Sequence, residues 1–308
     1  MDLSVNLAGL QLANPLMNAA GTCKLADGPE GVEGLLRTEA GAIVVGSGTV
    51  QDRPGNTGET YWWSPVYALN SLGLPNPGKE YYKKHLPTMV SMAHDAGKAL
   101  IFSAAGIKID DYAELTEMAI GAGVDAVEEN VGCPNVWGED GSQKRILSFC
   151  PELMDETLTL VERRVGTQVR LFIKISPLTD PHLFYQLAKV FGRHDSVDAV
   201  TAVNTFPNGL AFDEAGKSRI TPGGGLAGVS GVALKPMGLG NVAQWSSLLP
   251  AHIVVIGVGG IGSGQDMLDY KRAGAVAFQT ATAYLQRKGG MFAELLAEYY
   301  ELSEKAAA

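Results

Sequence analysis

Apolar positions along this chain gather into short unbroken runs, and between most of those runs they spread out again at intervals of three and four. Runs of strand length span Ala42 to Val45, Ala99 to Ser103, Asp125 to Val131, Val169 to Ile175, Asp198 to Val203, Val229 to Leu234, Ile253 to Ile256 and Ala275 to Gln279. The intervening segments place Leu115, Met118, Ala119 and Ala122 on one helical face, Leu153, Met154, Leu158, Val161 and Val165 on another, and Leu295, Leu296 and Leu302 on a last one. Pro151 suits a first helical position, and Gly166 suits a C-terminal cap after Arg163 and Arg164. A strand that is apolar throughout is covered on both faces, so such strands alternating with amphipathic helices predict a parallel sheet wrapped by helices. Eight of these units predict an α/β fold, a closed (β/α)8 TIM barrel, and with no linker or repeat in the chain a single domain over residues 1–308. Ahead of them Leu3, Val5 and Leu7 alternate with polar residues, Gly9 interrupts, and Leu10 and Leu12 resume. This pattern predicts a short N-terminal hairpin that plugs one end of the barrel.

Two connections are too long to be simple turns, and in such barrels active sites are built on the loops that follow the strands. The first, Gly46 to about Tyr81, carries Trp62, Trp63, Tyr67 and the run Asn70-Ser71-Leu72-Gly73-Leu74-Pro75-Asn76-Pro77-Gly78. The second, about Thr205 to Gly228, carries Thr221-Pro222-Gly223-Gly224-Gly225. The tail from Ser303 to Ala308 is expected to fray.

Composition narrows the function classes. The 38 glycines in 308 residues favour tight turns and close approach of backbone to a ligand. A net charge of -9 with scattered Lys and Arg supplies no footprint for nucleic acid and disfavours anionic membrane surfaces. No apolar run reaches the length of a membrane span, and Met1-Asp2-Leu3-Ser4-Val5-Asn6-Leu7 lacks the parts of a signal peptide, so the expected location is cytoplasmic. Cysteines at 23, 133 and 150 form no Cys-x-x-Cys pair and the five histidines are scattered, so no metal site is expected.

Chemistry concentrates at the strand ends. Val254-Val255-Ile256-Gly257-Val258-Gly259-Gly260-Ile261, a helix starting near Ser263, and then Ala275 to Thr280-Ala281 form the arrangement that binds a phosphate after strands seven and eight of a barrel. A structural turn is the alternative. Lys174, at the end of the fourth run, is a lone cation inside apolar sequence and calls for an anionic partner, such as a charge on a ligand; a Schiff-base lysine and a plain salt bridge near a rim are the alternatives. Asn14-Pro15-Leu16-Met17-Asn18-Ala19-Ala20-Gly21 is either a plain loop or a wall of small residues for a flat ligand. In Glu129-Asn130-Val131-Gly132-Cys133-Pro134-Asn135-Val136 a thiol stands between two carboxamides. Asn130 and Asn135 can read a polar ring without titrating, and Cys133 is the group among the three that exchanges a proton. A cysteine buried in a turn is the competing reading.

Taken together, Asn130-Val131-Gly132-Cys133-Pro134-Asn135, Asn70-Ser71-Leu72-Gly73-Leu74-Pro75-Asn76, Lys174, Asn204-Thr205, Gly257-Val258-Gly259-Gly260-Ile261 and Ala19-Ala20-Gly21 resemble the dihydroorotate dehydrogenase family over nearly the whole chain. The Gly-Leu-Pro-Asn form and a cysteine at position 133 are most similar to the soluble, homodimeric, fumarate-using branch. The resemblance implies FMN across the barrel mouth. Its phosphate would lie on Gly259, Gly260, Thr280 and Ala281, and its ring near Ala19, Ala20, Gly21 and Ser47, with Lys174 at the pyrimidine end and Asn130 and Gly231 also contacting the cofactor. It implies a dihydropyrimidine-like substrate, dihydroorotate or a related ring, held by Asn70, Leu72, Gly73, Leu74, Asn130, Asn135, Asn204 and Thr205. Cys133 would remove the proton from ring carbon five as hydride passes to flavin N5, and Trp137 to Arg145 would cover the site. One position departs from the family: its lysine after the Ala42–Val45 run is here Gly46, which leaves the substrate carboxylate to another cation, Arg53 or Lys24, or implies a substrate lacking that group. A divergent member acting on another cyclic or conjugated ene substrate, a flavin-free lyase using Lys174 and a flavin-binding homologue without this activity are the remaining alternatives.

Overall fold

The computed structural model describes residues 2–22, 29–138 and 140–307. The chain opens with an antiparallel hairpin of β1 (Val5–Leu7) and β2 (Leu10–Leu12), in which Val5 faces Leu12. There follow β3 (Leu16–Asn18), α1 (Pro29–Leu36) and β4 (Ala42–Gly48), and then β5 (Tyr61–Trp63) and β6 (Ala68–Asn70) within the first long connection. Next come α2 (Lys79–Asp95), β7 (Ala99–Ala104), α3 (Ile109–Gly121), β8 (Ala126–Asn130), α4 (Pro151–Val165), β9 (Arg170–Ile175), α5 (Pro181–Phe191) and β10 (Val197–Ala202). The second long connection holds β11 (Phe206–Gly209) and β12 (Ala227–Ser230). The chain then ends with α6 (Lys235–Leu248), β13 (Val254–Val258), α7 (Gly264–Arg272), β14 (Ala275–Thr280), α8 (Thr282–Arg287) and α9 (Met291–Ala307).

Eight parallel strands close into a barrel in the order β3-β4-β7-β8-β9-β10-β13-β14. The period of two sorts their side chains. Met17, Val44, Ile101, Phe172, Ile256 and Ala277 fill the interior together with Leu7 and Leu12 of the hairpin, which plugs the end of the barrel where the strands begin. Alternate residues, among them Ile43, Val45, Phe102, Val127, Ile173 and Phe278, pack outward on the helices. Helix boundaries follow the sequence signals. Pro151 opens α4, Gly166 caps it with φ of 57°, and Met154, Leu158, Val161 and Val165 are its buried stripe. Ser263 caps α7 by accepting from the Asp266 amide at 3.1 Å.

Strand count and closure agree with the sequence pattern, but the membership of one strand does not. Val229 to Leu234 is not a barrel strand: Gly231, with φ of 82°, breaks it into the end of β12 and a short 3-10 turn. The missing member is β3, only three residues long, which pairs with β14 and β4. Lys174 therefore lies on the fifth barrel strand, whereas the phosphate-type loops still follow the seventh and eighth. The two long connections meet in a four-stranded antiparallel sheet, β11-β12-β6-β5, that builds one wall of the barrel mouth. Asn70 on β6 faces both Gly228 on β12 and Tyr61 on β5. The C-terminal tail does not fray after Ser303, since α9 continues to Ala307. Among the described residues no helix is long and apolar enough to cross a membrane.

Candidate active site

The C-terminal mouth of the barrel holds a cavity of about 340 Å³, within the range of small-molecule sites. One end is formed by Gly259, Gly260, Ile261 and Gly262 after β13, Thr280 and Ala281 after β14, and Gly231 from the turn behind β12. Gly260 has φ of 71°, and a Cβ there would come within 2.9 Å of the Gly231 carbonyl oxygen, so this loop stays a concave backbone surface suited to an anion. Arg287 also lines this end; its Nη1 donates to the Gly262 carbonyl at 2.7 Å and its Nη2 pairs with Glu294.

The floor is the last inward-facing layer of the barrel, and it is polar. Lys174 Nζ lies 2.8 Å from Gln279 Oε1 and 3.2 Å from Glu128 Oε1. Glu128 Oε2 accepts from Gln279 Nε2 at 2.6 Å and from Thr201 Oγ1 at 3.0 Å. The lone lysine thus has its buried carboxylate partner in the protein, in the barrel interior rather than at a rim, while remaining part of the cavity wall. Such a pair survives burial because its other valences are hydrogen-bonded as well.

The opposite end is a carboxamide-lined compartment around Cys133. Asn130, at the tip of β8, donates to Ser47 Oγ at 3.0 Å and accepts from Asn204 Nδ2 at 2.8 Å, and Ser47 Oγ lies 2.8 Å from Ser103 Oγ. Asn135 Nδ2 donates to Asn70 Oδ1 at 2.9 Å, which joins the Cys133 segment to the mouth sheet. Leu72, Gly73 and Leu74 bring backbone to the same wall, and Thr205 stands beside Asn204. Thr205 and Tyr61 line the cavity, and their hydroxyl oxygens, themselves buried, have no protein partner. Burial pushes the Cys133 thiol above its ordinary range, opposed by the Asn135 backbone amide and by the positive charge of Arg53.

Every residue singled out from the sequence as catalytic, substrate-binding or cofactor-binding lines this one cavity, including Ala19, Ala20 and Gly21 at the end of β3. Tyr61, Glu128, Gln279 and Arg287 were not anticipated. The requirement of Lys174 for an anion pointed to a residue such as Glu128, whereas Tyr61 is brought to the site by the β5-β6 hairpin, in which it faces Asn70. Among the described residues of Trp137 to Arg145 none lines the cavity; Trp137 packs behind it against Ser71 and Gly223. Gly46 does line it, with φ of 101°, and a Cβ there would lie 2.5 Å from the Ser103 carbonyl oxygen. No L side chain fits this backbone, so the cation is excluded by the course of the chain as well as by the residue. Of the two substitute cations, Arg53 donates from Nε to the Gly73 carbonyl at 3.0 Å, next to the compartment. Lys24, like Cys23 and Glu139, lies outside the described residues. Among the described residues no group of His, Cys, Asp and Glu could hold a metal ion.

Fold and site together define a (β/α)8 barrel with an elongated ligand cavity, an anion cradle after strands seven and eight at one end and a thiol among carboxamides at the other. The family model for dihydroorotate dehydrogenase matches residues 2–302. The chain is 34% identical to the dihydroorotate dehydrogenase (fumarate) of Saccharomyces mikatae, over 90% of this chain and 85% of that one. It is 30% identical to the dihydroorotate dehydrogenase A (fumarate) of Lactococcus lactis, over 98% and 94% respectively. A solved structure from Eimeria tenella, a DHODH in complex with ferulenol, superposes with a TM-score of 0.81 over 99% of this chain and 85% of that one at 21% identity, a likeness of fold. The chain belongs to the dihydroorotate dehydrogenase family.

Proposed function

We propose that this chain, as a single FMN-binding unit, oxidises dihydroorotate to orotate, a CH–CH oxidation in pyrimidine biosynthesis. The observation that carries this reading is the convergence of Cys133, Asn70, Asn130, Asn135 and Asn204 in one cavity whose far end is a glycine anion cradle. FMN, when bound, supplies the hydride acceptor. The cradle formed by Gly231, Gly259, Gly260, Thr280 and Ala281 would hold its phosphate, and Ala19, Ala20, Gly21, Ser47, Asn130 and Lys174 would line its ring. The carboxamides and the polar floor fit a ligand rich in ring carbonyls and N–H groups.

Within the compartment the four asparagines offer donors and acceptors that do not titrate, so they orient a polar ring at any working pH. Leu72, Gly73 and Leu74 add backbone groups to that grip. Cys133 Sγ, as the thiolate, takes the proton from ring carbon five and so lets the adjacent C–H leave as hydride. Gly46 leaves the carboxylate to a cation elsewhere; Arg53, whose charge acts on the Cys133 thiol and whose Nε bonds the Gly73 carbonyl behind the cavity wall, would supply it.

Fumarate as the electron acceptor is supported by the relatives, whose names specify fumarate, and a homodimer as the working form follows from the resemblance to the family alone. After reduction by dihydroorotate, the protein is expected to be reoxidised by fumarate under anaerobic conditions, with succinate formed in equal amount. Reoxidation by a quinone but not by fumarate would exclude that acceptor.

A further inference from the structure

Trp137 ties together three loops that lie far apart in the sequence. Its indole Nε1 donates to Ser71 Oγ at 3.2 Å, in the loop between Asn70 and Leu72. Its ring lies directly on Gly223 of the second long connection: a Cβ at Gly223, where φ is 60°, would come within 2.0 Å of the indole Cζ2. The backbone of Trp137 pairs with Gln143, whose side chain reaches back to the Pro134 carbonyl at 2.7 Å. At the other end of the segment, Gly132 is pressed on the end of β9, with its carbonyl accepting from Ser176 Oγ at 3.1 Å. Cys133 and Asn135 are therefore strung between a fixed barrel anchor and the indole. Asn56 reinforces the outer end, donating to the carbonyls of Ser71 and Asn135 at 2.9 Å and 3.1 Å.

We infer that Trp137 is a positioning residue: by docking on Ser71 and Gly223 it fixes how far Cys133 and Asn135 reach into the cavity relative to Asn70 and Leu72, which hold the other side of the substrate. It touches no ligand site itself, since it does not line the cavity. A shift of about 1 Å in a reacting group costs on the order of 100-fold in rate, so the effect belongs in the chemical step. This role rests on the proposed reaction, and its test separates the two.

The experiment measures flavin reduction at saturating dihydroorotate in the holoenzyme and, in parallel, the pH dependence of Cys133 alkylation by iodoacetamide, located by peptide mass. Trp137→Ala is expected to bind flavin normally and to slow reduction by 10-fold or more, with a shifted alkylation midpoint because the thiol moves relative to the Asn135 amide and Arg53. Gly223→Ala, whose methyl group occupies the place of the indole, should reproduce both effects in the native background and add nothing to Trp137→Ala, as expected for two changes acting through one contact. If Trp137→Ala does not fold, Gly223→Ala and Trp137→Phe carry the test, the phenyl variant falling between. Native reduction rates and an unmoved alkylation midpoint in a folded variant, or additive losses in the double variant, would overturn the inference. Failure of the native protein to react with dihydroorotate would sink the proposed reaction alone, because the alkylation arm needs no substrate.

Discussion

Replacing Cys133 by alanine is expected to leave the protein folded and flavin-bound and to slow its reduction by dihydroorotate by 10²- to 10⁴-fold, the usual contribution of a positioned general base. The asparagines that hold the ring are untouched, so substrate affinity should change little, and the loss should fall on the reduction rate at saturation. The pH dependence carries the same signature. A cysteine base works as the thiolate, so the native rate should fall as pH falls through the folded thiol pKa. Burial raises that value above the ordinary thiol near 8.5, and the Asn135 amide and Arg53 draw it partly back. Arg53→Leu should therefore move the limb to higher pH. Stopped-flow reduction over a pH series measures both, and a native rate in Cys133→Ala would remove the thiol from the mechanism.

The second large effect concerns stability. Glu129 follows Glu128 on β8 but points the opposite way, into the apolar layer between barrel and helices, where Thr116 Oγ1 donates to Oε1 at 3.1 Å and Oε2 has no protein partner. Burial pushes its carboxyl up to about 8 from an ordinary 4.5. Since the folded value lies above the unfolded one, the folded chain keeps its proton where the unfolded chain releases it, and stability is lost as pH rises from about 4.5 to about 8. One proton corresponds to about 1.4 kcal/mol per pH unit, hence on the order of 3–4 kcal/mol between pH 5 and pH 8. Glu129→Met replaces the carboxyl with an adaptable apolar side chain of similar length and should flatten this slope, giving a variant more stable than the native protein at pH 8. Urea denaturation at several pH values checks it; parallel slopes for the two proteins would show that Glu129 does not carry the linkage.

Sequence periodicity was enough for the barrel because parallel strands buried on both faces leave unbroken apolar runs, and seven of the eight runs read this way are barrel strands. It failed where length and apolarity diverge. Leu16–Asn18 is too short, and ends in a polar residue whose side chain bonds the Val44 backbone, to register as a strand. The Val229 to Leu234 run is apolar, but Gly231 turns it out of any ladder. The site residues were legible as a set because each sits within a few positions of a strand end, where barrel topology gathers them. The mouth sheet was not, since β6 and β12 pair across about 160 residues, as with Gly228 opposite Asn70, and neither run alone signals its partner. Trp137 and Tyr61 owe their places to that sheet and its flanking loops. Gly46 was legible as a departure, but only the backbone, with the Ser103 carbonyl where a Cβ would go, shows that the position has no room for a side chain.

In the proposed reaction dihydroorotate delivers its hydride and proton at this cavity. The most direct measurement mixes the purified, flavin-loaded protein with dihydroorotate without oxygen and follows the flavin absorbance. Rapid bleaching with stoichiometric orotate is the result expected, with Gly46 in place. A flavin that dithionite bleaches and dihydroorotate leaves unchanged would contradict the account and assign the site to a different cyclic substrate.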